Sequence, residues 1–205
     1  MLNLTEPIIY TATEEAHIAR LLTERDQYGN LLTGTASWAK GDAATYGIKG
    51  RISSHTLAHQ KCRCAYCESL LQQGEAEIEH IVHKGRHRDF VFEPENLVTA
   101  CRRCNSTKIK GTKETIVPPE HVQYAQNSFL IVHPYLCANP DEEIVFTDET
   151  KTTFDKAACT QLGLDTIEFF HWDDEDARLA RLREAPLREV RLDIAKLVRE
   201  ISTYK

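Results

Sequence analysis

The stretch that decides the reading runs from Cys64 to Lys108, CAYCESLLQQGEAEIEHIVHKGRHRDFVFEPENLVTACRRCNSTK. It opens and closes on matching pairs, Cys64-x2-Cys67 and Cys101-x2-Cys104, and each pair sets two thiols on a tight turn. Two such knuckles together supply four sulfurs for one tetrahedral zinc. Cys62 stands beside the first pair as an alternative ligand of different geometry, and the two-residue spacing favours Cys64. A filled four-sulfur site keeps no open coordination position, so this zinc is expected to be structural. It would staple the 33-residue loop between Cys67 and Cys101 at its base. The other two cysteines, Cys137 and Cys159, read as isolated buried thiols.

Inside the staple, Glu77 to Val82 alternates enough, through Ile78 and Ile81, to form a short strand, and Leu97 to Ala100 suits a second. Arg102 to Lys108 reads as a helix entered straight from that second strand. Glu79-His80 therefore lies on the first strand, Asn96 opens the second, and Asn105 follows the last cysteine at the start of the helix. The staple makes the strand bearing Glu79 and the helix bearing Asn105 neighbours. A carboxylate and an amide oxygen that converge there are hard donors, suited to Mg²⁺ or Mn²⁺ and not to zinc.

Charge is distributed unevenly. The 205 residues carry a formal net charge of -6, which argues against a protein that coats nucleic acid by bulk electrostatics. Yet His80 to Lys113 holds eight basic residues (Lys84, Arg86, Arg88, Arg102, Arg103, Lys108, Lys110, Lys113) against three acidic ones, a local +5. Asp141 to Asp155 carries six acids and one base, and Asp173 to Asp176 is an acidic run that reads as a solvated helix start.

Outside the staple, Thr11 and Glu14 form a capping-box pattern ahead of Ile18, Leu21 and Leu22, predicting a helix to about Arg25. Five glycines between Gly29 and Gly50 predict loop with short turns over 29–52, and Ser53 or Ser54 would cap a short helix. Pro118-Pro119 marks a turn, and Glu143 to Phe146 reads as a strand. At the end, Leu187, Val190, Ile194, Leu197 and Ile201 repeat at three and four residues after an interruption at Pro186. That stripe reads as core packing, with a partner-docking helix as the alternative. The expected organisation is an N-terminal helical and loop extension (1–52), a zinc-stapled core (53–115) and a mainly helical C-terminal region (116–205). No run approaches 18 apolar residues and the first residues, MLNLTEPIIY, lack a basic start, so neither a membrane span nor a signal peptide is expected. The chain is expected in the cytoplasm with reduced thiols.

The order Cys64-x2-Cys67, Glu79-His80, Asn96-Leu97, Cys101-x2-Cys104-Asn105 and Lys108 resembles the HNH endonuclease motif. The resemblance implies an α+β chain built on a ββα-metal core. It implies that His80 is the general base for the attacking water, that Glu79 and Asn105 hold a single Mg²⁺ or Mn²⁺ on the scissile phosphate, and that Asn96 holds the loop and orients His80. A base of this kind must be neutral near pH 7, which suits an imidazole. Lys84, Arg86, Arg102, Arg103 and Lys108 would bind the flanking phosphates. His83, standing where many members have proline, is a rival base. Tyr66 and His133-Pro134-Tyr135 are similar to the HNH subunit of Septu-type anti-phage systems, which implies an ATPase partner. The alternatives are a non-catalytic zinc module that binds nucleic acid or protein, and a stand-alone restriction enzyme for modified DNA.

Overall fold

The computed structural model describes residues 1–71 and 74–203, with side chains described as far as Val198. The described chain divides into two compact units, Met1–Pro140 and Asp141–Lys205.

The first unit begins with three helices. Helix α1 (Ala12–Thr23) starts at the expected capping box: the Thr11 hydroxyl accepts from the Glu14 amide at 3.3 Å, and the Glu14 carboxylate accepts from the Thr11 amide at 2.8 Å. Residues 29–52, expected as loop, instead hold α2 (Gly34–Trp38) and most of α3 (Ala43–His59). Asp42 caps α3 by accepting from the Thr45 amide at 2.9 Å, so Ser53 and Ser54 lie inside the helix and do not start it. The glycines mislead because they sit on the outer face of α3: a Cβ added at Gly47 or Gly50 meets nothing within 4 Å. The inner face is Thr45, Ile48, Ile52 and Thr56, spaced three and four apart and buried. Helix α3 also crosses the boundary expected between residues 52 and 53.

Strands β1 (Ala76–His80) and β2 (Leu97–Cys101) pair antiparallel, with Glu79 opposite Val98 and His80 opposite Leu97. Helix α4 (Arg102–Asn105) follows at once and stops before Lys108, because Ser106 turns to extended backbone. Asn105 is thus its last residue. The Gln60 side chain, at the end of α3, closes the free edge of β2 by donating to the Thr99 carbonyl at 2.7 Å and accepting from its amide at 2.8 Å. One buried cluster joins Ile18, Leu21, Ile48 and Ile52 of the N-terminal helices to Val91, Phe92 and Leu97 of the segment between the knuckles. A second contains Val82, Phe90, Ile116 and Tyr124, and a small ladder of β3 (Ile116–Val117) and β4 (Ser128–Phe129) lies beyond.

Helix α5 (Pro140–Glu143) occupies the start of the expected strand at 143–146, and in the second unit Phe146 forms an isolated bridge with Phe154. Cys137 in the first unit and Cys159 in the second are half-buried, against the expectation of buried thiols. Helix α6 (Gln161–Phe169) is capped by Thr160. Helix α7 (Glu175–Thr203) begins on the acids Glu175 and Asp176 and runs through Pro186 unbroken, although proline lacks the amide that a helix interior uses. Its apolar stripe does not pack in a core: Leu187, Val190, Ile194 and Leu197 are each 54 to 57% exposed. The Ile201 side chain lies outside the described residues.

The open space around Gly50 leads to a stability test. Gly50→Ala should stabilise α3 by about 0.5–1 kcal/mol, because alanine restricts the unfolded chain and clashes with nothing. A higher urea midpoint in chemical denaturation is the expected result.

Candidate nuclease site and metal centre

Cys64, Cys67, Cys101 and Cys104 bring their sulfurs within 4.8 Å of one another. The Cys67 and Cys101 sulfurs are 3.8 Å apart, the edge expected of a tetrahedron with zinc–sulfur bonds of about 2.3 Å. Cys62 is exposed and outside the cluster, which leaves Cys64 as the ligand of the first knuckle. Both knuckles are held by backbone: the Ala65 amide donates to the Thr99 carbonyl of β2 at 3.0 Å, and Cys101 ends β2 while its sulfur caps α4 at the Cys104 amide. The cluster fits zinc in ligand type, number and spacing. Cys101→Ser should lower both bound zinc and melting temperature, whereas Cys62→Ser should leave both unchanged; metal analysis with thermal unfolding checks the pair.

His80 ends β1 and is almost wholly buried. Its Nε2 lies 3.1 Å from the Val91 carbonyl, an acceptor only, so Nε2 carries the hydrogen and Nδ1 keeps its lone pair. Nδ1 has no partner among the described residues. The Trp38 ring of α2 stands edge-on to the imidazole, with centroids 4.5 Å apart. Burial holds the His80 pKa well below its ordinary value, and the positive Lys84 adds to the effect, so the ring is neutral at pH 7.

Asn96 holds the loop that presents the Val91 carbonyl. Fully buried, it accepts from the Val82 amide at 2.6 Å and donates to the Phe90 and Val82 carbonyls at 2.7 and 3.2 Å. Behind it stands a residue that the sequence reading passed over. The Tyr124 hydroxyl donates to Asn96 Oδ1 at 3.0 Å and meets His133 Nε2 at 3.0 Å. His133 Nδ1 accepts from the Tyr135 and Leu136 amides, so Nε2 is protonated and donates to Tyr124. Burial pushes the His133 pKa down to about 3, which keeps this relay neutral. The His133-Pro134-Tyr135 stretch was the only sequence signal for it.

Glu77 and Glu79 share the other face of β1, since successive strand residues alternate. Asn105 reaches Glu77, not Glu79: its Nδ2 donates to Glu77 Oε2 at 2.8 Å. Glu79 is buried and pairs with Lys110, whose ammonium lies 2.6 Å from Oε1. Burial raises the Glu79 carboxyl above its ordinary range, against the pull of Lys110 and Lys84. His83 is half-buried, its pKa lowered by burial and by Lys110 and Lys84. Glu79, His80, His83, Lys84 and Lys110 thus form one electrostatic neighbourhood, while Asn105 stands one strand position away beside Glu77.

The basic residues divide by role. Arg86, Arg102 and Lys108 are exposed, and Lys84 and Arg103 are half-buried. Arg88 turns inward, donating to the Leu32 carbonyl at 2.6 Å and also to the Leu22 carbonyl, and Lys110 is consumed by Glu79. The outward-facing patch is therefore smaller than the residue count suggests. His87 is pinned between Glu114 at 2.8 Å and Glu120 at 2.9 Å. Burial alone would lower its pKa, but the two carboxylates outweigh it and raise the value. A raised folded-state pKa gives stability that is full below about pH 6.5 and is lost as pH rises through the folded value. His87→Gln should therefore destabilise more at pH 6 than at pH 8.5, as urea titrations at both values would show.

Against this geometry stand two comparisons with known proteins. Residues 64–111 match the HNH endonuclease family. The matched segment takes in the four cysteines, Glu79, His80, Asn96, Asn105 and Lys110. A curated relative, the CRISPR-associated endonuclease Cas9 of Corynebacterium diphtheriae, is 38% identical over 53 residues, which is 26% of this chain. The chain spans 5% of that relative's length, so the likeness concerns the HNH domain alone.

Proposed function

We propose that this protein is an endonuclease that hydrolyses phosphodiester bonds in nucleic acid, DNA in preference to RNA. The observation that carries the reading is the His80 ring, fixed by the Val91 carbonyl so that Nδ1, neutral and with its lone pair uncommitted, is the free nitrogen. Such a nitrogen takes the proton of an attacking water, and Nε2–H stabilises the imidazolium that forms by keeping its bond to the carbonyl. Asn96, backed by Tyr124 and His133, holds the loop that carries that carbonyl by bonding the neighbouring Phe90 carbonyl. His83 is the less well placed base, since no described bond fixes its ring. Lys84, Arg86, Arg102, Arg103 and Lys108 would bind flanking phosphates, giving salt-sensitive affinity.

The donors on the face of β1 opposite His80 fit a divalent cation in kind: the Glu79 and Glu77 carboxylates and the Asn105 amide oxygen are hard ligands. Mg²⁺ or Mn²⁺ bound there would offset charge on the phosphate during hydrolysis. Glu79 and Asn105 would hold it, with Glu77 steering the Asn105 side chain. The resemblance to Septu-type HNH subunits supports a defence role beside an ATPase, and the exposed stripe of α7 supports a protein partner. No helix among the described residues is long and apolar enough to cross a membrane.

One observation favours a second reading. His80 Nδ1 is closed to solvent, as expected of a non-catalytic zinc module that binds nucleic acid or protein. Incubating plasmid and structured RNA with Mg²⁺ or Mn²⁺ separates the two readings. The wild type should nick, and His80→Ala should cut at least about a hundredfold more slowly with zinc retained. Equal cutting by both proteins would remove His80 as base.

A further inference from the structure

Lys110 is 1% exposed, yet it lies in a run of basic residues that composition alone assigns to solvent and phosphate. A tight turn carries it inward. Gly111 has φ +48°, its amide donates to the Ser106 carbonyl at 3.0 Å, and a Cβ there would stand 2.8 Å from the Thr107 carbonyl oxygen. The turn therefore requires glycine, and it delivers the Lys110 ammonium to the Glu79 carboxylate at 2.6 Å. A dication and an ammonium cannot share one buried carboxylate oxygen without strong repulsion. Removing the ammonium and leaving nothing would strand a buried charge, so the pair persists until another cation replaces it.

We propose that Lys110 is an internal counter-ion that a divalent cation must displace: it holds Glu79 in the metal-free protein and swings out of its buried seat when Mg²⁺ or Mn²⁺ binds. The inference rests on Glu79 as a metal ligand. It makes the metal-free site closed and weak for metal, and metal entry becomes coupled to exposure of one lysine.

Lysine acylation of the full-length, zinc-loaded protein, read residue by residue by mass spectrometry across a Mn²⁺ titration, tests this directly. Exposed Lys108 is the internal standard. Without Mn²⁺, Lys110 should react far more slowly than Lys108; saturating Mn²⁺ should speed Lys110 by at least about tenfold and leave Lys108 unchanged. In parallel, Lys110→Ala should bind Mn²⁺ at least about tenfold tighter than wild type in a spin-resonance assay of free Mn²⁺, and Lys110→Arg, which keeps the cation, should show no gain. Glu79→Gln should abolish the response. Should Lys110→Ala fail to fold, the wild-type labelling decides alone. Mn²⁺ binding with unchanged Lys110 labelling, equal affinity of Lys110→Ala and wild type, or no binding by either protein would overturn the proposal. Cleavage distinguishes this from the nuclease reading: nicking without a Lys110 response sinks only the counter-ion, and a Lys110 response without nicking sinks only the nuclease.

Discussion

Four sulfurs within 4.8 Å set the geometry on which the rest of the first unit depends. The second knuckle is continuous with the sheet: Cys101 is both the end of β2 and the cap of α4. Fixing it fixes the register of the hairpin, and with it the positions of Glu79 and His80. Because the first knuckle also bonds β2 through Ala65, the clamp braces the hairpin from two sides. A structural metal suits this role, since its bonds fix both knuckles at defined positions in the hairpin.

The two faces of β1 then serve different ends. His80 points inward, to a carbonyl and an indole, and its proton-accepting atom is chosen by exclusion: one nitrogen is committed as a donor, so the other keeps the lone pair. Glu79 points the other way, to a lysine. Burial alone would push the carboxyl up and the imidazole down, so both groups lean toward the neutral form, and the ion pair with Lys110, helped by Lys84, pulls the carboxyl part of the way back. Their environment is the protein's own and scarcely that of water.

What could be read from the sequence was whatever depends on spacing. Two CxxC pairs specify a four-sulfur site regardless of the surrounding fold, and the short runs Glu77 to Val82 and Leu97 to Ala100 located the hairpin, whose strands pair over 76–80 and 97–101. Whatever depends on burial was not legible. Helix α3 buries two isoleucines and two threonines, a stripe too mixed to outweigh Gly47 and Gly50. Tyr124 reaches Asn96 across 28 residues, and nothing near it in the chain signals that partner. Arg88 and Lys110 counted as surface charge because composition cannot tell a solvated cation from one turned toward a carbonyl or a carboxylate. The stripe on α7 is the reverse case: its period shows which residues share a face, not whether anything covers that face.

The way α1, α2 and α3 meet the matched segment bears on how portable it is. Gly34 lies so close to the Lys84 carbonyl that an added methyl would stand 2.0 Å away, and Arg88 stitches the same loop to Leu22 and Leu32. Val91, Phe92 and Leu97 share their core with Ile18, Leu21, Ile48 and Ile52. Residues 64–111 are thus no free-standing cassette: excised or grafted elsewhere, they would leave an oily flank open to water, and any host scaffold would have to rebuild the missing wall.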